Sequence, residues 1–158
     1  MNHRMRVLVI FGTRPEAVKL APVIKQCQKH ADKIETRVCI TAQHREMLDQ
    51  VLDVFAIKPD IDLDIMQPDQ SLSQLTARIF NDLDPIVKQE HPDWILIQGD
   101  TTTVMVTAIL SYYNRVKIGH VEAGLRTFDK WQPFPEEINR RIAGVLADLH
   151  FAPTENNR

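Results

Sequence analysis

The chain has 158 residues, 44% of them hydrophobic and 25% charged, with a formal net charge of −2. That length and balance allow one globular domain with a genuine core, and the charge offers no basic face of the kind a nucleic-acid binder carries. Cys27 and Cys39, the two cysteines, have no CxxC partner, which argues against a metal or redox motif, and no apolar run approaches the ~20 residues of a membrane helix.

Met1–Arg6 is short and basic, but Val7–Phe11 is too brief for a signal-peptide core and reads as the first strand; the expected location is the cytoplasm. Val7–Phe11 is apolar at every position, the mark of a central parallel strand. Gly12-Thr13-Arg14 is a tight turn, and Pro15 suits the first turn of a helix running to about Lys29, with a kink expected near Leu20 because Pro22 removes one backbone bond. A second strand is expected over Thr36–Thr41, then a helix whose spacing shows in Met47, Leu48, Val51, Leu52 and Phe55. Ile61–Ile65 alternates apolar and acidic residues and predicts a strand near an edge. Ser71 is placed to cap a long helix through Leu72, Leu75, Ile79 and Leu83, which Pro85 is expected to break or bend.

Trp94–Ile97 is a further buried strand, followed by the polar turn Gly99–Thr103 and a helix through Tyr113. Lys117–Val121 is another strand. Pro135 opens a helix expected to reach about Leu149, and His150–Ala152 begins a last strand, with Pro153–Glu155 as the start of its helix. Strands alternating with helices imply right-handed crossovers and an α/β fold: a mostly parallel sheet with helices on both faces.

In such sheets ligands bind beyond the carboxyl ends of the strands. Four polar segments fall there: Gly12–Glu16, Gly99–Thr103, His120–Arg126, and Pro135–Arg140 at a helix start. Each turn offers backbone N–H groups at a helix N-terminus, where anions are favoured, and Arg14 adds a fork of donors suited to phosphate. Neither a GxGxxG nor a P-loop pattern is present. Taken singly, Asp100 is as well read as a helix N-cap, Glu136 and Glu137 as partners of a helix dipole, Glu136 and Arg140 as a surface pair four residues apart, and His120 and His44 as structural. Glu122 is harder to dismiss, because a carboxylate between a strand and Ala123-Gly124 is costly unless paired.

Five segments in order, Phe11–Ala17, Thr41–Gln50, Gly99–Thr103, Gly119–Thr127 and Pro135–Arg140, resemble the signatures of the non-hydrolysing UDP-N-acetylglucosamine 2-epimerases, and the resemblance covers essentially the whole chain. It implies a Rossmann-like domain, the N-terminal half of a glycosyltransferase-B fold, with residues 1–158 an incomplete enzyme lacking the second, UDP-binding domain. It implies interconversion of UDP-N-acetylglucosamine and UDP-N-acetylmannosamine by elimination and re-addition of UDP, with no cofactor and no metal. Carried over residue by residue, Asp100, Glu122 and Glu136 match the acids and bases, and Arg14, Arg140, Thr101, Thr102 and His120 the substrate contacts. Arg14 is assigned to the diphosphate side, and Arg140 either contacts substrate or holds Glu136.

Gln43, His44 and Gln70 match the site of an allosteric effector, UDP-N-acetylglucosamine itself, although Asp69 stands where some relatives carry a basic residue. A homodimer is expected for the full-length protein, with neither nucleic acid nor membrane as a partner. The chain alone is expected to be inactive and to leave apolar surface uncovered. A glycosyltransferase of the same fold, a hydrolysing epimerase and a non-catalytic sugar-nucleotide-binding module are the alternatives; a glucal intermediate, or deuterium entering C2, separates the first from the epimerase.

Overall fold

In the computed structural model, which describes residues 4–41 and 45–158, strand β1 (Met5–Phe11) sets the layering. Val7, Val9 and Phe11 enter one core and Leu8 and Ile10 another, as the two-residue period of a strand requires. A strand buried on both sides needs helices on both sides. Helices α1 (Arg14–Lys29) and α2 (Arg45–Val54) cover one face through Leu20, Ile24, Leu48 and Leu52. Helices α3 (Leu72–Glu90) and α4 (Thr102–Tyr113) cover the other through Ile79, Leu83, Val104 and Ala108, and α5 (Glu136–Leu146) joins that core at Ala143.

The other strands are β2 (Ile34–Ile40), β3 (Ile61–Asp62), β4 (Trp94–Gln98), β5 (Lys117–Val121) and β6 (Leu149–Phe151), and a 3-10 turn follows at Glu155–Asn157. All pairings are parallel, in the order β3-β2-β1-β4-β5-β6. The chain builds outward from β1 to β3, then returns to β4 on the other side of β1. This reversal puts the switch point of the sheet at the carboxyl ends of β1 and β4, the place where open α/β sheets bind ligands.

Four expectations are corrected. Pro85 does not break α3, which runs on to Glu90 before His91 turns left-handed at φ 45°. Leu83 and Val87, on either side of the proline, are both buried, so packing outweighs a cost of about 3 kcal/mol for an interior proline. The strand expected over Ile61–Ile65 is confined to Ile61–Asp62, because Asp64 turns the chain at φ 44°; it does lie at the edge of the sheet. Helix α5 stops at Leu146 rather than near Leu149: the Asp148 carboxylate accepts from Ile118 N at 2.8 Å and Asp148 N donates to Ile118 O at 2.9 Å, which draws the chain into β6. The N-cap of α4 is Thr101, not Asp100, its hydroxyl accepting from Val104 N at 3.3 Å. Pro22 lies inside α1, which continues past it. Among the described residues no helix is long and apolar enough to cross a membrane.

Candidate active site at the carboxyl rim of the sheet

The turn after β1 is built around a buried acid. Glu16 Oε2 accepts from Gly12 N at 2.9 Å and Thr13 N at 2.7 Å, and Oε1 accepts from the Thr101 hydroxyl at 2.8 Å. Thr13 and Glu16 therefore form the start of a capping box, and the same carboxylate bolts the β1 turn to the β4 turn across the switch point. Burial pushes the Glu16 carboxyl up, while the Gly12, Thr101 and Thr13 bonds pull it back. Two helix N-termini, those of α1 and α4, thus open side by side, with Arg14 exposed and without a partner among the described residues. Thr102 and Thr103 are buried, and the Thr103 hydroxyl meets that of Thr41 at 3.0 Å.

The turns after β4 and β5 lie next to each other, since Gln98 pairs with Val121 and Gly99 N donates to Val121 O at 3.0 Å. Gly99 has φ 79°, a conformation that favours glycine. Glu122 has φ 63°, strained for a residue with a side chain. Its carboxylate accepts from Lys19 Nζ at 2.7 and 2.6 Å and from the Gln98 amide. His120 is buried on β5; its Nε2 must carry the proton, because it faces the Gly99 carbonyl at 2.7 Å, and Nδ1 has no partner among the described residues. Burial holds the His120 imidazole below its usual value, against the pull of the Gly99 bond. The ring thus supports, from below, the turn that carries Asp100.

Helix α5 closes the group. Arg140 Nη2 donates to Asp100 Oδ2 at 2.6 Å, and Asn139 Nδ2 donates to the Asp100 carbonyl at 2.9 Å. Glu136, in the first turn of α5, lies three and four residues before these two and so shares their side of the helix. It is half-buried and without a hydrogen-bond or ion-pair partner among the described residues. Glu137 is fully buried; it accepts from Arg126 Nε at 2.8 Å and Thr127 N at 3.1 Å, with Arg140 Nη1 at 3.6 Å. Burial pushes the Glu137 carboxyl up, but Arg126, the Thr127 amide and Arg140 outweigh it and hold it down at about 2.

Asp100, Glu122, Thr101, Thr102, His120 and Arg140 therefore gather on the turns and helix starts around β4 and β5, and Glu136 lies in the first turn of α5, the helix whose Asn139 and Arg140 contact Asp100. Arg140 grips Asp100; it does not hold Glu136, so neither that expectation nor the surface pair stands. Gln70 sits apart, its amide on Met66 Sδ at 3.2 Å, in a groove of about 460 Å³ lined by Gln67, Asp69, Gln74, Arg78 and Asn81. Gln43 and His44 lie outside the described residues. Glu16, Lys19, Gln98, Arg126 and Glu137 are the site members that sequence reasoning gave no role in the chemistry. The Thr13-to-Glu16 spacing is a legible signal; the ion pair between Lys19 and Glu122, 103 residues apart, leaves none.

Beside the rim runs the loop between β5 and α5, with Phe128 83%, Trp131 63% and Phe134 58% exposed. Among the described residues no group of three or more His, Cys, Asp and Glu is arranged to hold a metal ion.

Known proteins resemble this chain in sequence and in fold. Residues 25–158 match the family model described as UDP-N-acetylglucosamine 2-epimerase. The UDP-N-acetylglucosamine 2-epimerase of Yersinia pestis is 55% identical over 154 residues, which are 98% of this chain and 41% of that protein. A crystal structure of UDP-GlcNAc 2-epimerase from Neisseria meningitidis bound to UDP-GlcNAc superposes with a TM-score of 0.93 at 53% identity, covering 97% of this chain and 41% of that one. MurG of Acinetobacter baumannii, at 14% identity and a TM-score of 0.66, shares the fold. The chain spans about two fifths of the length of the relatives it matches.

Proposed function

Because the chain belongs to the UDP-N-acetylglucosamine 2-epimerase family, we propose that it is the N-terminal, Rossmann-like domain of a two-domain isomerase that interconverts UDP-N-acetylglucosamine and UDP-N-acetylmannosamine without releasing free sugar. The observation that carries this reading is the pair of carboxylates, Asp100 and Glu122, on neighbouring strand ends, each met by one fixed cation, Arg140 at 2.6 Å and Lys19 at 2.6 Å.

The C2 proton of an N-acetylhexosamine is not acidic, so inversion proceeds by elimination. A carboxylate takes the C2 proton, the C1–O bond breaks, and UDP leaves with the electron pair, giving 2-acetamidoglucal. UDP then returns to C1 while an acid protonates C2 from the other face. Asp100, Glu122 and Glu136 are the acids and bases of this cycle. Arg14 and the paired helix N-termini, with Thr101 and Thr102, face the departing diphosphate and stabilise its growing charge. His120 supports the Asp100 turn. The second domain supplies most of the uridine contacts.

The full-length protein is read as a cytoplasmic homodimer that needs no cofactor. Gln43, His44 and Gln70 are read as contacts of an activating UDP-N-acetylglucosamine.

A coupled assay for UDP-N-acetylmannosamine tests both parts of the proposal. The chain joined to its second domain is expected to turn over and the chain alone is not. Turnover by the chain alone contradicts the division of labour, free N-acetylmannosamine as product points to a hydrolysing enzyme, and an inactive two-domain form contradicts the assignment.

A further inference from the structure

Glu136 and Arg140 stand four residues apart on α5, with the acid nearer the N-terminus, the spacing and order that normally give a helical ion pair. The pair does not form. Arg140 turns instead to Asp100 Oδ2 at 2.6 Å with Nη2 and lies 3.6 Å from Glu137 Oε2 with Nη1. Its side chain is only 12% exposed and Glu137 is completely buried, so the contact between them lies inside the protein, with Asp100, 26% exposed, at its edge. An interior carboxylate is tolerated only when charge and hydrogen bonds compensate it. Here Asp100 and Glu137 face Arg126 and Arg140, two charges against two.

We propose that Glu137 is the positioning residue of this site: it draws Arg140 away from Glu136 and holds the guanidinium against Asp100. Glu136 is thereby left unpaired in the first turn of α5, free to give or take a proton, while Asp100 is fixed in place. Glu137 also ties the loop after β5 to α5 through Arg126 Nε and Thr127 N. With Glu137 neutral, Arg126 loses its carboxylate and Arg140 keeps only Asp100, and the nearest further acceptor for Arg140 on its own helix is Glu136. A cation would then leave one proton-transfer group and quench another. This inference rests on the proposed roles of Asp100 and Glu136.

The test is Glu137→Gln, which keeps the shape and removes the charge, read in two ways. In the two-domain protein, kcat is expected to fall on the order of 10²-fold, the scale of a small misplacement of reacting groups, with KM nearly unchanged. Glu137→Asp is expected to recover part of the loss. In the chain itself, nitrogen NMR of the Arg140 guanidinium is expected to show distinct Nη signals, because its two carboxylates restrain rotation, and Glu137→Gln is expected to average them.

Parental kcat in Glu137→Gln overturns the proposal, and so does lost kcat with unchanged Arg140 signals, since the effect would then not pass through Arg140. If Glu137→Gln does not fold, Glu137→Asp alone is expected to show lowered kcat and partial averaging, and parental values of both overturn the proposal. If the parent two-domain protein does not epimerise, the functional reading fails, and the NMR comparison still decides whether Glu137 positions Arg140.

Discussion

The two ends of this sheet carry similar charges and hold them differently. At the amino end, Arg4 and Arg6 approach Glu35 at 3.7 and 3.6 Å and Arg37 meets Asp60 and Glu90 at 3.0 and 3.2 Å, with the arginine side chains 39–51% exposed. At the carboxyl end, Glu137 is wholly buried and Arg140 is 12% exposed, while Glu16 is 2% exposed and held by backbone N–H groups and a hydroxyl. Exposed pairs contribute little to stability. Buried ones carry a desolvation cost that apolar side chains would avoid. Among the described residues the pairs at the carboxyl end run from Arg140 and Glu137 inside the protein to Lys19, 45% exposed, on Glu122, and the proposed proton transfer and diphosphate binding draw on that end.

That contrast breaks most severely at Glu122. In the two-domain protein, Glu122→Gln is expected to lower kcat by about 10²–10⁴-fold, the usual contribution of a positioned acid or base, with the fold intact by circular dichroism. Arg140→Met comes next, because it leaves Asp100 without its cation and Glu137 with Arg126 alone. Losing one partner of a buried pair costs about 3–5 kcal/mol, read by urea denaturation of this chain.

Acid sharpens the comparison further. Glu137 is held down at about 2 from an ordinary 4.5, so the stability it contributes is present above pH 4.5 and is lost as pH falls toward 2. Glu137→Gln is expected to flatten the acid limb of the stability–pH curve. Glu16 runs the other way: burial raises its carboxyl, so its contribution is present at low pH and is lost as pH rises through its folded value, and Glu16→Gln is expected to remove that loss. The smallest effect belongs to the amino end. Arg37→Ala is expected to cost no more than about 1 kcal/mol and to leave kcat unchanged.

Much of the scaffold is legible in the sequence, because strands buried on both faces and helices with one apolar stripe write themselves as runs and periods. Val7–Phe11 and Trp94–Ile97 are apolar end to end and occupy the centre of the sheet. The errors fall where a tertiary contact overrides a local rule. Pro85 ends no helix because Leu83 and Val87 are packed around it, and α5 yields to β6 because Asp148 pairs with Ile118. The site follows the same logic. The turns that carry Asp100 and Glu122 announce themselves by glycine and polar residues at strand ends, whereas the partners of those acids do not. Lys19 reaches Glu122 from a helix far away in sequence, and Arg140 ignores its expected partner four residues back for one 40 residues away.

The central claim is that carboxylates at this rim move the C2 proton of a UDP-sugar. Incubating the two-domain protein with UDP-N-acetylglucosamine in deuterated water measures it directly. Deuterium is expected at C2 of the UDP-N-acetylmannosamine formed, and none in a parallel reaction with the Glu122→Gln variant over the same time. Product that keeps its original C2 hydrogen, or equal incorporation by the variant, contradicts the claim.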